Sequence, residues 1–62
     1  MNMKNTVSTD SIHSLIKLYK RLNTRWEEDI EKAKLHEQKV YYKASINTYN
    51  SVIEDLESLL QD

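Results

Sequence analysis

The 62 residues include no glycine, proline, cysteine or phenylalanine, and nine Lys and Arg against ten Asp and Glu leave a net charge of −1. The missing cysteines exclude disulfides and thiolate zinc sites, and the near-neutral charge excludes a basic nucleic-acid arm or an acidic tail. No apolar run approaches the ~20 residues that cross a bilayer.

Without glycine or proline, nothing in the chain breaks a helix from within or supplies the positive φ angles of tight β-turns. The composition therefore points to an all-α protein. Lys, Asn, Ile, Tyr and Ser are abundant, a bias that suits an AT-rich genome such as that of a low-GC bacterium or its phage.

Residues 1–7 are polar and aperiodic and read as a flexible N-terminal tail. Met1 to Asn5 hold one Lys with no apolar segment behind it, which is not the form of a secretory signal, so a cytoplasmic location is expected. Ser8 fits a helix N-cap, its hydroxyl placed to accept the backbone N–H of Ser11. Val7 and Ile12 occupy the positions of a hydrophobic staple, and Asp10 puts negative charge near the positive end of the helix dipole.

A first helix is predicted over about 9–34. Its apolar residues Ile12, Leu15, Ile16, Tyr19, Leu22, Trp26, Ile30 and Ala33 recur in steps of mostly three and four, the spacing of one buried stripe. Lys17, Lys20, Arg21, Arg25, Glu28 and Asp29 occupy much of the other face. The stripe then loses phase, and the polar stretch at about 35–39, with His36, Glu37, Gln38 and Lys39, is predicted as a connection. Helix ends favour glycine at C′; with none present, Asn or His has to serve.

A second helix is predicted over about 40–61. Tyr42, Ile46, Tyr49, Ile53, Leu56 and Leu60 follow a strict alternation of four and three, which is a heptad seam. Val52 and Leu59 widen that seam, while Asn50, Ser51, Glu54, Asp55 and Glu57 are placed away from it.

Folding the chain back on itself, so that facing residue numbers sum to about 73, gives an antiparallel helical hairpin. Lys17, Lys20 and Arg21 then lie near Glu54, Asp55 and Glu57, and the acidic run Glu27, Glu28, Asp29 and Glu31 lies near Lys43. Unlike charges meet, whereas a parallel coil of one long helix would set each block against its own copy. Each apolar stripe is wider than a two-helix seam, because Leu15, Leu22, Val52 and Leu59 flank it. A chain this short buries only ~60% of its unfolded surface. Pairing two hairpins into a homodimeric four-helix bundle closes the core. Its core and oligomer positions are expected at Ile12, Ile16, Tyr19, Leu22, Trp26, Ile30, Tyr42, Ile46, Tyr49, Ile53, Leu56 and Leu60.

No catalytic, cofactor-binding or metal-ligating set is predicted. His13 and His36 lack the partners that activate a nucleophile and are assigned to the surface, and consecutive helical carboxylates fan out rather than converge on a cation. The candidate partner-binding residues are Lys17, Lys20, Arg21 and Arg25, a basic stripe about two turns long, and Tyr41, the aromatic off the second seam. Asn23, Thr24, Asn47, Thr48 and Asn50 add neutral hydrogen-bonding groups to such a surface. The expected function is a small non-enzymatic protein–protein interaction module, a regulator, inhibitor or adaptor acting through its helical surface, with another protein as partner and no membrane. One alternative is a dimeric RNA- or DNA-binding bundle that uses the Lys17, Arg21 and Arg25 stripe; another is a structural or assembly component.

Overall fold

A computed structural model describes residues 8–61. The expected tail, residues 1–7, and Val7 of the staple lie outside the described residues. Two α-helices, α1 (Thr9–Lys32) and α2 (His36–Leu60), pack against each other as a hairpin. The packing is antiparallel: Tyr19 meets Tyr49 and Trp26 meets Tyr42, so that residue numbers rise on one side as they fall on the other.

Local chemistry starts α1. Ser8 is extended (φ −66°, ψ 152°), and its Oγ accepts the Ser11 backbone N–H at 3.1 Å. That bond satisfies one of the four N–H groups a helix start leaves free. Asp10 lies in the first turn and Lys32 in the last, each the sign that the helix dipole favours at that end.

The connection is shorter and earlier than the polarity pattern predicts. Helix α1 ends at Lys32 rather than near residue 34, and α2 begins at His36 rather than near residue 40. Residues 36–39 are therefore the first turn of α2, not a loop. A first turn tolerates polar residues because its N–H groups have no intrahelical acceptor. Gln38 uses this, its Oε1 accepting the Leu35 N–H at 3.5 Å, and Glu37 sits where a negative charge is favoured.

The missing glycine is also explained. Ala33 (φ −69°, ψ 136°) and Leu35 (φ −99°, ψ 140°) are both extended, and no described residue has positive φ. The chain leaves α1 through extended backbone, a region open to any residue, so neither glycine nor a left-handed Asn or His is required.

Three isoleucines form the buried core: Ile12, Ile16 and Ile53, with Tyr19, Leu56 and Leu60 packed against them. Of the twelve expected core positions these three are buried, and the other nine, Tyr19, Leu22, Trp26, Ile30, Tyr42, Ile46, Tyr49, Leu56 and Leu60, are half-buried. The seam has two regions. Aliphatic side chains fill the half nearest the termini, and aromatic rings fill the half nearest the connection. There Trp26 lies 5.5 Å from Tyr42, 6.2 Å from Tyr49 and 6.1 Å from Tyr41, ring centroid to centroid.

Candidate functional site

Both helices carry the same seven-residue pattern, and it gives the hairpin two unlike sides. On α1 the seam positions are Ile12, Tyr19 and Trp26 together with Ile16, Asn23 and Ile30; on α2 they are Tyr42, Tyr49 and Leu56 together with Ile46, Ile53 and Leu60. One step round α1 lie Leu15 and Leu22, then Leu18 and Arg25; one step round α2 lie Val52 and Leu59, then Tyr41 and Asp55. Contacts across the seam show which flanks coincide. Trp26 reaches Tyr41 on one side, while Lys20 meets Glu57 and Asn23 meets Asn50 on the other. In an antiparallel pair the equivalent flanks of the two helices fall on the same side, so Leu15, Leu18, Leu22, Val52, Leu59 and Tyr41 share one face.

That face is open to solvent. Leu15 is 38% exposed, Leu18 37%, Leu59 58% and Tyr41 61%; Leu22 and Val52 are half-buried. Near its middle is a shallow groove of about 260 Å³ lined by Leu22, Arg25, Trp26 and Asp29. It holds two apolar side chains, one cation and one anion, and no set of groups arranged for proton transfer or nucleophilic attack. Among the described residues no three His, Asp or Glu side chains converge on a point that would hold a metal ion.

Tyr41 lies in the second turn of α2 and is largely exposed, yet it is not isolated. Its ring packs edge-on against Trp26 at 6.1 Å and Tyr42 at 5.6 Å. It therefore extends the aromatic part of the seam onto the open face.

The basic stripe is split among different surroundings. Lys20 pairs with Glu57 at 3.9 Å, both side chains well exposed, and Arg25 lines the groove beside Asp29. Lys17 and Arg21 are exposed and form no ion pair among the described residues. The expected neutralisation of the whole stripe by Glu54, Asp55 and Glu57 is thus found at Lys20 alone. Between Lys43 and the acidic run of Glu27 to Glu31 no ion pair forms among the described residues.

Asn23 and Asn50 depart most from expectation, since residue type and spacing place both on a polar outer surface. Asn23 is instead buried at 8% exposure, and its Nδ2 donates to Asn50 Oδ1 at 2.9 Å across the seam. The seven-residue step from Ile16 through Asn23 to Ile30, and the sum of 23 and 50, were the available signals. Thr24 and Thr48 spend their hydroxyls on the carbonyls of Lys20 and Ala44, four residues back on their own helices.

Among the described residues no helix is long and apolar enough to cross a membrane. Compared with known proteins, the chain matches no family model, no curated protein and no solved structure.

Proposed function

We propose that this chain is a non-enzymatic protein–protein interaction module, a small regulator, inhibitor or adaptor that works through its helical surface and self-associates into a four-helix bundle. The observation that carries this reading is the open apolar face formed by Leu15, Leu18, Leu22, Val52, Leu59 and Tyr41, on a hairpin whose buried core is three isoleucines. Contiguous apolar surface on a small soluble fold marks an interaction site. Tyr and Trp at its end are the side chains that most often anchor such contacts. Two further helices laid on that face complete a bundle.

The alternative, an RNA- or DNA-binding bundle, draws less support. Lys20 meets Glu57 and Arg25 shares its groove with Asp29, so two of the four basic side chains of the stripe have a carboxylate near them. The overall charge of −1 also gives little long-range attraction to a polyanion.

Sedimentation equilibrium tests the proposal. The wild-type chain is expected to be a dimer at micromolar concentration, and the double variant Leu18→Asp/Leu59→Asp, altered only at exposed positions, is expected to be a helical monomer. A folded wild-type monomer whose surface is indifferent to these substitutions overturns the reading.

A further inference from the structure

The geometry points to a second copy of this chain as the occupant of the apolar face, seated with its two-fold axis parallel to the long axis of the hairpin, so that each α1 lies along the α2 of the other copy. The inference rests on the reading of that face as a self-association surface, and adds the symmetry and which helices meet across it.

Two dyads place one hairpin face-to-face on another. With the axis along the hairpin, α1 runs antiparallel beside the second copy's α2. With the axis across the hairpin, α1 packs on α1 and α2 on α2. Leucines and valines cover each other in both, so apolar contact does not choose between them. Charge does. The outer rim of the face on α1 carries Arg21 and Arg25, with Glu28 and Lys32 one heptad nearer the connection, and the outer rim on α2 carries Asp55. Packing like helices on each other, with the dyad near the middle of the leucine strip, sets Arg21 near Arg21 and Asp55 against Asp55. Packing α1 on the second copy's α2 sets Arg21 against Asp55, twice per dimer, and leaves Arg25 level with the neutral Thr48.

The register agrees. A two-fold parallel to the long axis preserves height along the hairpin, so residues that are level within one copy are level between copies. The Asn23–Asn50 and Lys20–Glu57 contacts put Asp55 at the height of residues 18 to 22 on α1. Side chains on a helix lean toward its N-terminus. In antiparallel neighbours Arg21 and Asp55 therefore lean toward each other. Both are exposed, and neither forms an ion pair within its own chain among the described residues. Reversing either charge consequently removes no contact from the hairpin itself.

The test uses the full chain and sedimentation equilibrium, with circular dichroism to verify that each variant is helical. Arg21→Glu and Asp55→Arg are each expected to weaken dimerisation by about tenfold, and the double variant Arg21→Glu/Asp55→Arg in one chain to restore it to within a few-fold of wild type. The crossed arrangement predicts no such rescue, because the double variant still sets like charges together. A second measurement exploits the absence of cysteine from the sequence. A short bis-maleimide is expected to link an Arg25→Cys chain to a Thr48→Cys chain in a mixture, and to link neither variant to itself. A dimer in which single reversals have no effect, the double shows no rescue, and the mixed cross-link is absent overturns the symmetry while leaving the interaction face standing. A wild-type chain that stays monomeric overturns both.

Discussion

Asn23 donates its side-chain N–H to Asn50 across the seam at 2.9 Å, and the two amides sit in unequal surroundings: Asn23 is 8% exposed, whereas Asn50 is open to solvent. The bond ties α1 to α2 near the middle of the hairpin. Sliding one helix by a heptad, ~10 Å of rise, would put Lys43 or Glu57 where Asn50 stands and break the amide pair. A polar pair in a helical seam thus fixes register at some cost in stability. The asymmetry of burial gives a sharp expectation. Asn50→Ala, although made at an exposed position, strands the buried Asn23 amide and should cost about 1–3 kcal/mol. Asn47→Ala, one turn away and also exposed, should stay within about 0.5 kcal/mol. Asn23→Leu/Asn50→Leu should match or exceed wild-type stability while losing its single register. Urea unfolding measures the first two, and the number of amide resonances in a nuclear magnetic resonance spectrum reads the third. Equal, small effects of Asn50→Ala and Asn47→Ala would show that the amide pair contributes nothing.

Trp26 is the hub of the aromatic half of the seam, with Tyr41, Tyr42 and Tyr49 about its ring. Its indole N–H is buried and has no acceptor among the described residues. Such a group is a standing penalty, so the ring stabilises through area and edge-to-face geometry rather than through its polar handle. Trp26→Phe should therefore cost no more than about 1 kcal/mol, since lost area is offset by relief of the orphaned donor. Trp26→Ala should cost about 3 kcal/mol, the low end of the range for large aromatic truncations, because the site is only half-buried. Denaturant unfolding followed by circular dichroism separates the two. A Phe variant as damaged as the Ala variant would mean that the N–H is engaged after all.

Much of the hairpin was legible because it rests on periodicity and local chemistry. The 4-3-4-3-4 run from Tyr42 to Leu60 lies on the seam, and the Ser8 cap needed only the geometry of the next three residues. What escaped was non-local or ambiguous. Asn23 and Asn50 look like solvated residues when each is judged against its sequence neighbours; only the partner's position on the other helix makes them a seam pair. Residues 36–39 are as polar as a loop, yet the first turn of a helix asks for the same residue types. Leu18 fell outside the predicted stripe because it lies one position further round α1 than Leu15 and Leu22, at the outer edge of the open face.

The N-cap at Ser8 supplies a local prediction. Its Oγ accepts from the Ser11 backbone N–H at 3.1 Å and lies 2.9 Å from the Ser11 hydroxyl. Ser8→Ala removes the acceptor and should cost about 1 kcal/mol, while Ser8→Asp should retain most of it, as an equally good cap with a charge that suits the dipole. Thermal unfolding checks both. The loss should appear first as fraying of the amides of residues 9–12 in hydrogen exchange, because Ile12 of the same turn anchors the core beyond it.

The glycine-free connection reverses a common rule of helix termination. Glycine after a helix is favourable when the chain leaves through positive φ. Here Ala33 leaves at φ −69° and ψ 136°, with its N–H donating to the Ile30 carbonyl at 3.2 Å, a conformation that alanine adopts without strain. Glycine at this position would gain nothing in the folded state and would widen the unfolded ensemble. Ala33→Gly should therefore destabilise the hairpin by about 0.4–1 kcal/mol, with a further small loss from the half-buried methyl. Chemical denaturation with an unchanged dependence on denaturant concentration would place the effect in the chain's freedom rather than in altered compactness. A stabilised Ala33→Gly variant would show that the backbone at this corner is held in a region alanine resists, and that α1 ends by the left-handed route after all.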